Sequence, residues 1–165
     1  MNEIAQTLIE LAKKFAHRLQ VAWGENLVSV VLYGSVARSE CHKDSDVDLL
    51  VIAEKLPKSR LERTRLLLQQ RETLRDEVLS LEERGYHPRL SCIAKTREEA
   101  EYHSPLYLDM TEDALILYDK GAFFQGVLDE MRARMREYGS RRIWLEGGWY
   151  WDLKPDYKYG DIIEI

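Results

Sequence analysis

The stretch LYGSVARSECHKDSDVDLLVI, Leu32 to Ile52, constrains the fold of this chain more than any other. It leaves an apolar run, breaks at Gly34-Ser35, crosses a polar segment holding Arg38 and Lys43, and re-enters an apolar run that carries Asp46 and Asp48. In a strand successive side chains point to opposite faces, so Asp46 and Asp48 share one face while Val47, Leu49 and Val51 share the other. Carboxylates side by side at the start of a strand repel each other, and each is costly to desolvate unless something positive meets it. A divalent cation held by oxygen ligands is the commonest way to keep both ionised. Mg²⁺ retains water sites and prefers to be completed by substrate phosphates, which directs the reading towards a nucleotide.

The upstream half of the stretch fits the same chemistry. A glycine lets backbone amides approach an anion, and a short helix over Val36 to Glu40 would add the positive end of its dipole. Ser35 is placed to donate to a terminal phosphate, and Arg38, one turn on, to meet the same phosphate as a planar donor or to form a surface ion pair with Glu40 or Asp44. The Gly-x-x-x-x-Gly-Lys pattern of a Walker A loop is absent, and no dinucleotide fingerprint follows the first strand.

Around this stretch the pattern alternates helix and strand. Ile4, Leu8, Leu11, Phe15 and Leu19 step by three and four, predicting a helix from about Asn2 to Trp23 that ends near Gly24. Leu27 to Tyr33 is apolar on both faces, as an interior strand is, and Val47 to Ala53 reads as a second strand closed off by Pro57. Ser59 to Arg84 reads as one long helix with a stripe of Leu67, Leu74, Val78 and Leu81. Arg89 to Lys95 is a third strand, Arg97 to Met110 is helical in pieces around Pro105, Ala114 to Tyr118 is a fourth strand, and Phe124 to Tyr138 steps as a last helix. Beyond it, with three of the four Trp, the tail reads as irregular chain. The sum is an α/β (α+β) domain with a mixed sheet flanked by helices, over residues 1–140, with an aromatic-rich tail, 141–165, packed on it.

Composition narrows the function classes. With 165 residues, 45% hydrophobic and 32% charged, the chain is sized and balanced for one globular domain. A net charge of −5 argues against broad nucleic-acid binding. Cys41 and Cys92 make no disulfide framework or Cys-x-x-Cys metal spacing, and both read as inert reduced thiols. His17, His42, His87 and His103 show no ligand spacing. The N-terminus lacks the apolar core of a signal peptide and no run approaches the ~20 residues of a membrane span, so a cytoplasmic protein, neither exported nor inserted, is expected.

Gly34-Ser35, ten intervening residues, then Asp46-x-Asp48 inside an apolar strand resembles the signature of the minimal nucleotidyltransferases (MNT) of the DNA polymerase beta superfamily, and the flanking letters GSVAR and SDVDLLV agree with it. The resemblance is close from Leu27 to Ala53 and loose to about Tyr118. It implies a polymerase-beta-like nucleotidyltransferase fold that binds a nucleoside triphosphate, ATP or another NTP, with two Mg²⁺ ions. Asp46 and Asp48 would be catalytic and ligate the metals, and Gly34, Ser35, Arg38 and Ser45 would bind the nucleotide. The implied reaction moves a nucleoside monophosphate, AMP from ATP, to a hydroxyl of a partner protein, as in the antitoxin-like half of a pair with a small helical HEPN protein. Antibiotic-type small-molecule nucleotidyltransfer is the enzymatic rival, and a catalytically weak module that docks its partner through the Trp-rich tail is the rival of another class. The aromatic tail, with Trp144, Trp149, Tyr150, Trp151, Tyr157 and Tyr159, reads as a structural flap or as a docking surface, which leaves a homodimer open.

One departure stands out. Catalytic members of the family carry a third carboxylate on a neighbouring strand, but the corresponding segment here, PRLSCIAK, has no Asp or Glu. Ser91 or Arg89 stands where that acid would sit, and Asp109 or Glu83 are the carboxylates left to substitute for it.

Overall fold

The computed structural model describes residues 2–164. Helix α1, Glu3–Trp23, starts where the Asn2 side chain accepts the Ala5 amide at 2.6 Å and stops at Gly24, which adopts φ +50°. Its stripe of Leu8, Leu11, Phe15 and Leu19 is fully or almost fully buried. Strand β1, Leu27–Tyr33, follows, then a single turn, α2, Gly34–Ala37. Strand β2, Asp46–Ala53, pairs antiparallel with β1, while β3, Arg89–Thr96, pairs parallel with β2. Strand β4, Leu115–Asp119, closes the other edge antiparallel to β1, giving the order β3-β2-β1-β4.

This mixed sheet is the middle of three layers. On one face Val47, Leu49 and Val51 join α1 and the buried Leu67, Leu74 and Leu81. On the other, Leu50 and Ile52 meet Tyr107, Met110, Phe124, Leu128 and Met131, from α6, Pro105–Asp113, and α7, Phe123–Tyr138. A central strand buried on both faces explains why β1 and β2 read as continuous apolar runs. The short helix α5, Arg97–Glu101, starts at a capping box in which Thr96 and Glu99 exchange side-chain and backbone bonds. No helix among the described residues is long and apolar enough to cross a membrane.

Three expectations change. The long helix over Ser59 to Arg84 is two, α3, Arg60–Glu72, and α4, Arg75–Glu83. At the break the Thr73 hydroxyl bonds back to the Gln70 carbonyl at 2.6 Å and the Thr73 and Leu74 amides make three-residue turns, which spend the groups that would carry the helix on. The helix after Gly34-Ser35 starts at Gly34 itself and lasts four residues, too short for a useful dipole, so what it offers an anion is local amides. The tail expected to be irregular is instead a hairpin of β5, Arg141–Leu145, and β6, Gly148–Asp152. Its two-residue turn is Glu146-Gly147, with Gly147 at φ +91°, so of the Gly pair that reads as loop punctuation Gly147 makes the hairpin turn and Gly148 begins β6.

Candidate active site

Asp46 and Asp48 are the first and third residues of β2, and both stand on the face that holds Leu50, Ile52 and the α6/α7 layer. Gly34 lies beside them. It adopts φ +77°, and a Cβ built there would sit 2.7 Å from Asp48 Oδ2. The glycine of the Gly-Ser pair is therefore required first to let the loop close over a carboxylate, with any approach of a phosphate to the backbone coming second.

The two acids differ in surroundings. Asp48 is held above the usual carboxylate range, chiefly by burial; the side chain of Ser91 pulls it down, the charge of Asp46 pushes it up, and Arg38 offsets part of that. Across the β1–β2 pair, Tyr33 faces Asp48, and burial followed by the Asp48 charge pushes its phenol up to about 12, so it stays neutral. Asp46 is nearer solvent, and Arg89, its in-register partner on β3, donates from Nε to Oδ1 at 3.0 Å. Ser91 is the in-register partner of Asp48.

The segment expected to carry a third acid thus places a guanidinium against one Asp and a hydroxyl beside the other. The two substitutes do not join them: among the described residues no third Asp, Glu, His or Cys gathers with the pair. Asp109 is committed elsewhere, accepting both the Trp149 and Trp151 indole N–H groups at 2.8 Å. Two carboxylates on one strand face, with a neutral hydroxyl beside them, are hard oxygen donors of the kind Mg²⁺ takes, with phosphate oxygens and water left to fill its octahedron. The residues fit an ion bound with a triphosphate better than an ion caged by protein alone.

Ser35 opens the turn with a partly exposed side chain. Arg38 follows with its Nε on Glu40 at 2.8 Å, so of the two ion-pair partners it is Glu40 that is engaged and not Asp44. Its guanidinium also lies 4.6 Å from the Trp149 ring centroid. Ser45 is buried, and its hydroxyl accepts the His42 amide at 2.9 Å, tightening the loop that delivers the chain to Asp46. Gly34, Asp48, Arg38 and Asp46 are thereby gathered, while Ser45 acts on the loop behind them. Burial pushes the Cys92 thiol up to about 12, which suits the inert role expected of it.

Trp149 is the neighbour of the site that sequence reading missed. The hairpin is fastened to α6 through Arg142, which pairs with Asp113 at 2.9 Å, lies 3.6 Å from Asp109, and stacks on Trp144, Trp149 and Trp151 at 5.0 to 5.6 Å. The alternation Trp149-Tyr150-Trp151 opposite Arg142 was the available signal, since period two puts both indoles on one face. A surface groove of about 560 Å³ lies between α1 and α4, on the sheet face opposite the carboxylates, and does not belong to this site.

A mixed sheet with a Gly-Ser turn closed against an Asp-x-Asp strand is the arrangement of a nucleotidyltransferase. A family model described as "Nucleotidyltransferase domain" matches residues 10–118, and the chain belongs to this family, the minimal nucleotidyltransferases of the DNA polymerase beta superfamily. Among curated proteins it is 32% identical over 158 residues to "Putative protein adenylyltransferase MJ1305" of Methanocaldococcus jannaschii, covering 94% of this chain and 97% of the relative. A second protein of that organism, "Putative protein adenylyltransferase MJ0141", is 28% identical over 72 residues, 44% of this chain and 73% of the relative. Among solved structures, one titled "Crystal structure of the toxin-antitoxin with AMP-PNP" is 15% identical and covers 77% of this chain and 92% of that one, at a TM-score of 0.47. The chain is a nucleotidyltransferase.

Proposed function

We propose that this nucleotidyltransferase moves AMP from ATP to a hydroxyl of a partner protein, with Mg²⁺, and that its acceptor is a small helical protein of the HEPN type. The observation that carries the chemistry is the closure of Gly34 on Asp48, which sets two carboxylates, a hydroxyl and a guanidinium around one short turn. Asp46 and Asp48 would hold the ion, and Mg²⁺ bound there with the triphosphate would neutralise phosphate charge at the reacting centre. Ser35 donates to the outer phosphates. Arg38 keeps its Nε on Glu40, which fixes the plane of the guanidinium and leaves its terminal nitrogens to face the same phosphates. The acceptor oxygen bonds to the α-phosphorus, the bond from that phosphorus to the bridging oxygen breaks, pyrophosphate leaves, and the hydroxyl proton passes to water at the open rim.

Two observations support a protein as acceptor. The relative matched over 97% of its length carries protein adenylyltransferase in its name. The outer side of the hairpin and the segment after it expose Leu145, Tyr150, Tyr157, Tyr159 and Ile162, a run of apolar and aromatic side chains of the kind that partners cover. The test is incubation with ATP labelled in its α-phosphate, Mg²⁺, and a small helical protein of the HEPN type as candidate acceptor. Label is expected on a partner hydroxyl and is expected to vanish with Asp46→Asn. A tight complex with no transfer would make the chain a binding module, and transfer only to an aminoglycoside would make the acceptor a small molecule.

A further inference from the structure

The strand that should carry a third acid carries a cation at a defined place. Arg89 and Asp46 are in register as the first residues of the parallel strands β3 and β2, and the Arg89 Nε lies 3.0 Å from Asp46 Oδ1. The Arg89 side chain is 78% exposed, and among the described residues Nε on Asp46 is its only hydrogen bond or ion pair, so the two terminal nitrogens face the open rim. Ser91, the next residue on that face, adds a neutral oxygen, and among the described residues no other carboxylate joins the pair.

A second divalent ion would need a place in this set. It would have to share two carboxylates with the first ion, without the third acid, and with a guanidinium already seated on one of them. Like charges that close together are unfavourable unless anions separate them. Charge bookkeeping leads to the same place: three carboxylates, two divalent ions and a triphosphate carry the same net formal charge as two carboxylates, one guanidinium, one divalent ion and the same triphosphate. Exchanging an acid for Arg89 and dropping one ion leaves the total untouched.

We infer that Arg89 stands in for the second metal, so that this site takes one divalent ion with the nucleotide and the Arg89 guanidinium supplies the remaining positive charge at the acceptor side. Arginine suits the task because its charge does not titrate away and its fork of donors reaches both a carboxylate and a phosphate oxygen. The inference rests on the nucleotidyltransfer reading and replaces the two ions expected from the family with one.

The test counts ions. Mn²⁺ serves as the probe, and its binding to the full chain is followed by electron paramagnetic resonance with saturating non-hydrolysable ATP analogue. One Mn²⁺ per chain is expected for the natural protein, and two for Arg89→Asp, which rebuilds a third carboxylate on β3. Arg89→Gln, with neither cation nor acid, is expected to hold one. Two ions on the natural protein overturn the inference, as does a single ion on a folded Arg89→Asp. If Arg89→Asp fails to fold, the count for the natural protein still decides, because two ions there remove the role of Arg89, whereas a second ion gained by Arg89→Gln alone would show the guanidinium holding that place. A natural protein that binds the analogue with no ion at all sinks the metal-assisted reading itself, which two ions would leave standing.

Discussion

The two ends of β3 carry two arginine–carboxylate clasps that differ in almost everything but their atoms. At the far end Arg63 of α3 grips Glu99 of α5 through both terminal nitrogens, at 2.6 and 2.9 Å, and also donates to the carbonyls of Pro57 and Ala94. Its side chain is 14% exposed, against 78% for Arg89 at the near end, which touches Asp46 through one nitrogen. The first clasp ties two helices and a strand end, so breaking it strands donors with nowhere else to go. The second ties down only itself. A screened, single-contact pair is worth little to stability and can be opened at little cost, which suits the proposed entry of an ion and a triphosphate.

Substitutions at the near end should act on chemistry and those at the far end on stability. The largest effect is expected from Asp48→Asn, with transfer falling at least ~100-fold, since the proposed ion would lose one of its two carboxylate ligands. The same change should raise the melting temperature of the nucleotide-free protein at neutral pH. The sign follows from Asp48 being raised in the fold: its charged form opposes folding above its folded-state pKa, and that penalty disappears below its unfolded value. The gain measured by thermal unfolding should therefore shrink as the pH is lowered; a loss of stability at neutral pH would mean Asp48 is held by a protein cation.

Gly34→Ala comes next, and it should hurt both properties. The new Cβ meets Asp48 Oδ2 at 2.7 Å, and φ +77° costs a non-glycine residue about 1–2 kcal/mol. Denaturant unfolding and a transfer assay would read the two losses, and a fully active Gly34→Ala would separate the turn from the chemistry.

At the far end Glu99→Gln keeps a side chain able to complete the capping box, so it isolates the charge pair. A destabilisation of about 1 kcal/mol is expected after discounting for solvent screening, with transfer unchanged. The Arg63 hydrogen bonds hold the Glu99 carboxyl below its ordinary range, so this contribution is fully present above about pH 4.5 and is lost as the pH falls through the depressed folded-state value. Chemical denaturation of both proteins across that window tests it. The smallest stability effect should be that of Arg89→Gln, under ~0.5 kcal/mol by the same measurement. A larger loss there than for Glu99→Gln would reverse the comparison.

Much of the fold is legible in the sequence because its central elements are buried on both faces. β1 and β2 are continuous apolar runs, α1 and α7 carry regular stripes, and their observed bounds lie within a residue or two of the expected ones. The elements misread are those settled by local hydrogen bonds or by distant partners. The Thr73 hydroxyl breaks a stripe that looks unbroken from Leu67 to Leu81. The hairpin of Arg141–Asp152 depends on Asp109 and Asp113, some thirty to forty residues upstream, to satisfy two indoles and a guanidinium.

The site divides in the same way. Spacing alone put Asp46 and Asp48 on one strand face and Gly34-Ser35 at the mouth of the preceding strand, because alternation along a strand is a property of the backbone and needs no tertiary information. Which residue of β3 would stand against each acid, that Gly34 yields its side-chain space to Asp48, and that Arg38 rests on Trp149 were decided only when the strands took their register and the hairpin docked. Sequence sets the direction of side chains along one element; contact between elements is a matter of register and packing, and a shift of a single residue would have turned every one of those partners to the opposite face.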